Sequence, residues 1–404
     1  MEAKKETVFS DPIYGYIKAE NGFIKRLIDT KFFQRLRRIK QLSGVTMVFH
    51  TAEHSRFSHA LGAYEIARRF LEIDDINSLL NEREKLLFLS SALLHDIGHG
   101  PYSHAFEKVF KTDHEKLGAY IISNDKEISN ILNEIDDNFA NDVSSIILRE
   151  GRFLLIEQMI SSQLDVDRLD YLLRDSYHTG VPYGRVDIDK ILRTITVIDN
   201  NIVFKESALH TLESFFLNRY HMYWQVYYHP TGRSYEFILE NIYKRIKNLI
   251  KGGYIFNENI NPLIKTMENP YDLKAYLAID DYYINGLINS FTNNNDQILK
   301  DLSCDFLNRH IWKNIEANDK DMIQKIKKTY EKNELTYYCG VNAVRQSIYQ
   351  ISLYDKDREL LIYDKENIVK LSEKSNIIKK LIEEPLKTDD RFFYRERDKW
   401  IKYL

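Results

Sequence analysis

Along the first part of the chain, apolar residues recur three and four positions apart, the spacing of a helix with one face turned to a core. Residues 5–19 carry short strand-like and turn material around Val8-Phe9 and Asp11-Pro12. Ile24, Leu27, Ile28, Phe32, Phe33, Leu36 and Ile39 then predict two short helices over 24–42, broken near Asp29-Thr30. Ala60, Ala63, Ile66, Ala67 and Phe70 predict a helix from Phe57, and Lys85 to His95 another, stopped by Gly98, Gly100 and Pro101. Further helices are expected between 115 and 165, from Leu117, Tyr120 and Ile121 and then Val143, Ile146 and Ile147. One more runs over Asp165 to Arg174, entered from Leu164. Ser207 to Ile250 suits one or two long helices with an aromatic stripe of Phe215, Phe216, Tyr220, Tyr223, Trp224, Tyr227 and Tyr228. Of these, Tyr220, Tyr223 and Trp224 are expected in the core. Asn293 to Asp296 predicts a loop, and Ile298 to Tyr330 a helix.

Beyond about residue 335 the period changes. Ser347 to Leu353 alternates with period two, and Leu360–Tyr363 and Asn367–Val369 flank an Asp-Lys-Glu turn. Ser375 is placed to cap a helix over Asn376 to Leu381. The fold expected is mainly α, a helical core with a small C-terminal α+β domain. Its divisions are an N-terminal strand/helix segment at 1–50 packing on the core, the core at 51–265, a helical extension at 266–334 and the α+β part at 335–404. Repeats and low-complexity linkers are absent from the sequence, so these parts are expected to pack together.

Composition supports the helices. Only 15 Gly and 7 Pro occur in 404 residues, too few for a turn-dense all-β or collagen-like chain. With 57 Lys+Arg against 60 Asp+Glu the net charge is −3, which argues against a surface that is basic throughout. One basic stretch stands out: Lys25, Arg26, Arg35, Arg37, Arg38 and Lys40, either a solvated face or a binding surface. Two cysteines, Cys304 and Cys339, exclude a disulfide framework and a CxxC metal site. The apolar run Leu86–Leu94 is too short to span a bilayer, and the first residues lack a signal-peptide core. A cytoplasmic location without membrane contact is expected.

The histidines change the picture. There are 12, and seven (His50, His54, His59, His95, His99, His104, His114) fall between 50 and 114. His95-Asp96 ends the most apolar helix where glycines stop it, offering a nitrogen and an oxygen ligand at a buried helix end. Alone, such a dipeptide means little. His59 upstream and Asp167 downstream strengthen it, since a mixed His/Asp set suits a borderline or hard divalent ion with positions open for water and phosphate oxygen. A closed structural zinc site would more often use Cys. Asp165 and Asp170 are expected to cap or to form salt bridges. His50, His54, His178, His210 and His310 are expected to be ordinary surface or core histidines.

His59, His95-Asp96 and Asp167 resemble the H…HD…D signature of the HD-domain phosphohydrolases. The likeness extends to Asp11-Pro12-Ile13-Tyr14-Gly15, Gln34-Arg35-Leu36-Arg37, Lys40-Gln41-Leu42, Arg56-Phe57-Ser58-His59, the run His95 to His104 and the run Asp165 to Tyr171. Together these resemble the deoxynucleoside triphosphate triphosphohydrolase branch, in a compact bacterial form without a sterile-alpha-motif domain. The match is good over about residues 7–235. The resemblance implies an HD-domain helical core and hydrolysis of a dNTP at the α-phosphorus to deoxynucleoside and inorganic triphosphate. It implies one divalent metal ion per subunit on His59, His95, Asp96 and Asp167, with Mg, Mn, Fe, Ni and Zn not distinguished. His104 would be the general acid, oriented by Glu107 and His114, with His99 near the α-phosphate. Arg56, Arg168 and Arg219 would clamp phosphates, Tyr171 and Asp175 would face the deoxyribose, Tyr227 would stack under the sugar, and Gln41 and Leu42 would border the base and 3′-hydroxyl.

Asp29 and Arg37 match positions that, in relatives activated by nucleotide bound between subunits, contact a guanine nucleotide. The resemblance thus implies a dNTP or GTP effector and a homo-oligomer, tetramer or dimer. Thr7 stands where that pattern has a lysine, and Pro230 where relatives have a catalytic-pocket lysine, so effector specificity does not carry over. Stringent-response hydrolases and small 5′-nucleotidases place an acidic pair after the HD, where this chain has Gly98-His99-Gly100. A Gly-Tyr-Pro signature of cyclic-dinucleotide phosphodiesterases is missing. The rival readings are a nucleotide-sensing or nucleic-acid-binding module with vestigial hydrolysis, and a phosphohydrolase of another phosphate ester. The proton donor at His104 favours an enzyme.

Overall fold

A computed structural model gives the fold, and it describes residues 7–19, 22–343, 345–346, 359–365, 367–383 and 387–396. The chain starts as an antiparallel hairpin, Thr7–Asp11 with Gly15–Ala19, in which Phe9 faces Ile17. Helices Phe23–Asp29 and Lys31–Arg35 follow, divided at Thr30 as expected. Thr30 is extended and its hydroxyl donates to the Leu27 carbonyl at 2.7 Å, which closes the first helix and starts the second.

Three helices form the centre. Arg56–Leu71 buries Ala60, Ala63, Ile66, Ala67 and Phe70, and its small residues let neighbours come close. At Gly62 an added Cβ would lie 1.8 Å from Asp170 Oδ1, so only glycine lets the helix Val166–Thr179 pack there. Glu82–Leu94 begins with a capping box between Asn81 and Glu84 and packs its Leu87, Ala92 and Leu93 into the same core. After a turn at 95–103 the chain resumes as His104–Phe110 and His114–Asn124. At Gly98 a Cβ would meet the His114 carbonyl at 2.1 Å, so this turn lies flat against the 114–124 helix.

Leu209–Met222 and Pro230–Lys251 realise the two long helices expected, joined through one π-helical turn, Tyr223–Tyr227. Such turns displace the side-chain register and recur at functional sites. Phe215, Phe216, Met222 and Val226 take the buried side. Tyr220, Tyr223 and Trp224 are left half-buried, which corrects their expected place in the core.

The sheets stitch distant segments together. Ile195–Ile198 and Asn201–Lys205 form a hairpin, and Asn201–Lys205 runs parallel to Leu361–Asp364, which pairs antiparallel with Asn367–Lys370. Arg391–Tyr394 sits between Lys313–Glu316 and Cys339–Asn342. The 361–364 and 367–370 hairpin and the Ser375 cap are as expected, with the Ile378 N–H donating to Ser375 Oγ at 3.1 Å. The helix expected over Ile298 to Tyr330 is not continuous. Gln297–Leu307 and Lys320–Lys327 are helical, but Lys313–Glu316 is recruited as a strand by the ladder from Arg391–Tyr394. The alternating segment Ser347 to Leu353 lies outside the described residues. Among the described residues no helix is long and apolar enough to cross a membrane.

Candidate active site

His59 stands in the first turn of the 56–71 helix, His95-Asp96 closes the 82–94 helix, and Asp167 stands in the first turn of the 166–179 helix. The His59 Nδ1–H donates to Asp170 Oδ2 and the His95 Nδ1–H to the Ala92 carbonyl, each at 2.8 Å. Both partners only accept, so both Nδ1 atoms carry the proton and both Nε2 atoms present a lone pair. These Nε2 atoms are 3.2 Å apart, with Asp167 Oδ1 at 3.1 and 3.7 Å from them. Asp96 adds Oδ2 at 3.7 Å from His59 Nε2 and Oδ1 at 3.5 Å from His95 Nε2. Lone pairs aimed at one another beside two carboxylates repel, and a cation relieves the repulsion. A proton is the alternative: against the pull of burial, hydrogen bonds to Asp167 and Asp170 raise His59 to about 10. Asp167 and Asp96 are both held well below the usual carboxylate range despite burial, Asp167 by His59 and His95 and Asp96 first by Arg56. Two nitrogens and two anionic oxygens fit a borderline or hard divalent ion.

A second group of histidines adjoins the first. His99 Nε2 is 3.2 Å from Asp96 Oδ1, and its ring stacks on His114 with centroids 3.9 Å apart. Glu107 joins the set: Oε1 accepts from His114 Nδ1 at 2.7 Å, and Oε2 is 3.2 Å from His104 Nδ1. Burial, then the Arg56 and His114 charges, push His99 well below its usual range. Burial opposes the charging of His114, but the Glu107 carboxylate raises it. Two stacked rings are thus shifted in opposite directions. His104 is 80% exposed at the head of the 104–110 helix.

Arg56 donates through Nε to Ser103 Oγ at 2.9 Å and through Nη1 to Asp96 Oδ2 at 2.5 Å. Arg168 pairs with Asp165, whose other oxygen caps the 166–179 helix through the Arg168 N–H at 2.7 Å. The buried Arg219 reaches Gln163 and lies 5.7 Å from the Tyr223 ring. Asp167, Tyr171 and Asp175 are four residues apart and line one stripe of their helix. Tyr171 lies between His59 and Tyr227, 6.5 and 6.3 Å from their ring centroids. The Tyr227 hydroxyl, carried on the π-helical turn, donates to Asp175 Oδ2 at 2.7 Å. Gln41 and Leu42 are placed beside this edge by the Gln41 N–H, which donates to the His54 carbonyl at 3.0 Å. Asp29 and Arg37 stand at exposed positions with other partners. Asp29 pairs with Lys25, and Arg37 donates to Gln34 and covers the Phe57 ring.

Three residues at this site escaped sequence reasoning in part or whole. Asp170 does form a salt bridge, to Arg174, but it also orients His59. Arg174 in turn reaches Asp11, and the Tyr14 hydroxyl donates to Asp170 Oδ1, which gives the Asp-Pro-Ile-Tyr-Gly turn a task. The i,i+3 offset of Asp170 from Asp167 was a signal. Asp281, fully buried, accepts the Lys40 and Tyr102 N–H groups at 2.8 Å each. It thereby braces a turn in which Tyr102 and Ser103 adopt φ of 56° and 47°, a strained conformation that leads into His104. No local pattern marks it. His54, expected to be ordinary, bonds Asp175 Oδ1 at 2.7 Å.

Comparison with known proteins identifies the family. Residues 56–175 match the HD domain and residues 186–390 the HD associated region. An uncharacterized protein of Bacillus subtilis, YwfO, is 43% identical over 78% of this chain and 73% of its own. The deoxynucleoside triphosphate triphosphohydrolase SAMHD1 homolog of Dictyostelium discoideum is 31% identical over 61% of this chain and 51% of its own. A crystal structure of a phosphohydrolase from Bacteroides thetaiotaomicron superposes with a TM-score of 0.85 at 26% identity, covering 97% of this chain and all of that one. The chain belongs to the HD-domain phosphohydrolase family and carries its associated region.

Proposed function

We propose that this HD-domain phosphohydrolase splits deoxynucleoside triphosphates at the α-phosphorus into deoxynucleoside and inorganic triphosphate. One observation carries the reading: the His/Asp cluster, the Glu107-linked histidines and the Tyr171–Asp175–Tyr227 edge adjoin one another. In this reading His59, His95, Asp96 and Asp167 hold one divalent ion per subunit, which when bound polarises a phosphoryl oxygen and lowers the pKa of water. Water attacks the α-phosphorus, the bond to O5′ breaks, the water oxygen stays on the triphosphate, and O5′ leaves with a proton. His104 supplies that proton, with Glu107 setting its ring and the protonatable His114 sharing the same carboxylate. The neutral His99 faces the α-phosphate. Arg56, Arg168 and Arg219 balance the triphosphate, arginine being suited to paired oxygens. Tyr171 and Asp175 meet the deoxyribose, Tyr227 lies under it, and Gln41 and Leu42 border the base and 3′-hydroxyl. Relatives named deoxynucleoside triphosphate triphosphohydrolases support the substrate class. The exposed Asp29 and Arg37 would receive a dNTP or GTP effector in a dimer or tetramer.

The purified protein is incubated with each dNTP, singly and in pairs, with Mg²⁺ or Mn²⁺, and deoxynucleoside and triphosphate are quantified. Equimolar release of both is expected. Absence of product in every combination, or release of pyrophosphate, overturns the reading.

A further inference from the structure

The proposed reaction leaves His54 without a task, although its side chain and that of Asp175 are each only 2% exposed. Asp175 only accepts, so the His54 Nε2–H donates to its Oδ1 at 2.7 Å, while Tyr227 takes Oδ2. The His54 carbonyl holds the Gln41 N–H at 3.0 Å. One residue therefore ties Gln41, by its backbone, to Asp175, by its side chain. Its ring is propped from behind by His178, with centroids 4.3 Å apart and planes 14° from parallel, and the Thr51 hydroxyl holds the His178 carbonyl. Burial, then the His54 and Arg174 charges, bring His178 down to about 4, so the prop is uncharged at neutral pH. Gln41 Oε1 is buried and has no hydrogen-bond partner within the protein. A carboxylate with open lone pairs and an unpaired amide oxygen are both acceptors, and acceptors recognise a hydroxyl that donates. The single hydroxyl proton satisfies one of them, and a substrate without it leaves that acceptor unpaired, which is the strong form of discrimination.

We propose that His54 is a positioning residue that sets selectivity for substrates bearing a 3′-hydroxyl, by fixing Asp175 and Gln41 at the sugar edge. The proposal rests on the dNTP reading above. Its Nε2–H fixes the plane of the Asp175 carboxylate, so that the free lone pairs meet the sugar.

The test compares kcat and KM for the best dNTP and its 2′,3′-dideoxy analogue in the wild type, His54→Ala and His54→Gln. The wild type should favour the 3′-hydroxyl about 10- to 100-fold, the range of one hydrogen bond to a charged group. His54→Ala should raise KM for the dNTP about tenfold or more, leave the dideoxy analogue unchanged, and so collapse the ratio. Glutamine, whose amide N–H reaches toward the Nε2 position, should restore most of it. Should His54→Ala not fold, His54→Asn, whose amide falls short of Asp175, takes its place. Melting temperature and bound metal are recorded for every variant. An unchanged ratio, or an equal loss on both substrates, overturns the assignment while leaving the dNTP reading in place. A wild type that hydrolyses no dNTP overturns both.

Discussion

Two stacked histidine pairs occur at this site with nearly the same geometry and different charged neighbours. His99 lies on His114 with centroids 3.9 Å apart and planes at 15°, and His54 lies on His178 at 4.3 Å and 14°. In the first pair a carboxylate on one ring and an arginine beside the other split the titrations: His114 is raised and His99 lowered. In the second, the carboxylate belongs to His54, and His178 is pushed to about 4. Ring stacking therefore decides nothing by itself. The charges around each pair, Glu107 and Arg56 at the first and Asp175 and Arg174 at the second, set which ring is shifted and in which direction.

The largest test removes two of the proposed metal ligands. His95→Ala and Asp167→Ala should bring triphosphate release to background and lower bound divalent metal, measured by elemental analysis. Turnover at the wild-type level would refute the ligand assignment. The first pair is broken next. His104→Ala should lower kcat by about 10²- to 10⁴-fold with metal content unchanged, the range for losing a general acid. Glu107→Gln removes the charge that raises His114, so a limb requiring protonated His114 should move to lower pH in the kcat profile. A profile that does not move would detach His114 from catalysis.

Asp281 tests the turn that presents His104. Its carboxyl is raised to about 6, first by burial and against the Lys40 and Tyr102 N–H groups. A carboxyl raised on folding binds its proton more tightly in the folded chain. That contribution is complete below about pH 4 and lost as the pH rises through 6, roughly 3 kcal/mol in all. Urea midpoints at pH 4.5 and 7.5 should show Asp281→Asn gaining relative to wild type at the higher pH. Its kcat should nevertheless fall, since an amide oxygen replaces only one of two acceptors. The smallest effect belongs to the second pair. His178 is lowered on folding, so its share of stability is present above about pH 6.5 and lost as the pH falls through 4. His178→Phe keeps a flat ring without the titration, and its melting temperature should fall less than that of wild type between those values. Parallel acid curves would remove His178 as the titrating group.

Much of the centre was legible because its signals are local. Helix periods over 24–38 (the expected helices to 42 stop at Arg38) and 57–71, the stop at Gly98, the cap at Ser375 and the 361–370 hairpin all lie within a few residues of their causes. The proposed ligands His59, His95, Asp96 and Asp167 were recognisable as a spaced motif, and the structure brings all four side chains together. Lys313–Glu316 was not legible, since it becomes a strand only because Arg391–Tyr394 lies beside it. The half-buried Tyr223 and Trp224 depended on a π-helical turn that no helical period announces.

By itself, then, the chain's order of residues determined which helices form, where they stop, and which four side chains can offer nitrogen and oxygen to a cation. Tertiary structure alone decided which carboxylates and distant partners meet. His54 meets Asp175 across 121 positions, and Asp281 meets Lys40 across 241 and Tyr102 across 179. The reason is physical. A local period records what each residue does to neighbours one helical turn away, whereas the charge state of a buried ring depends on whatever packing brings to its outer nitrogen.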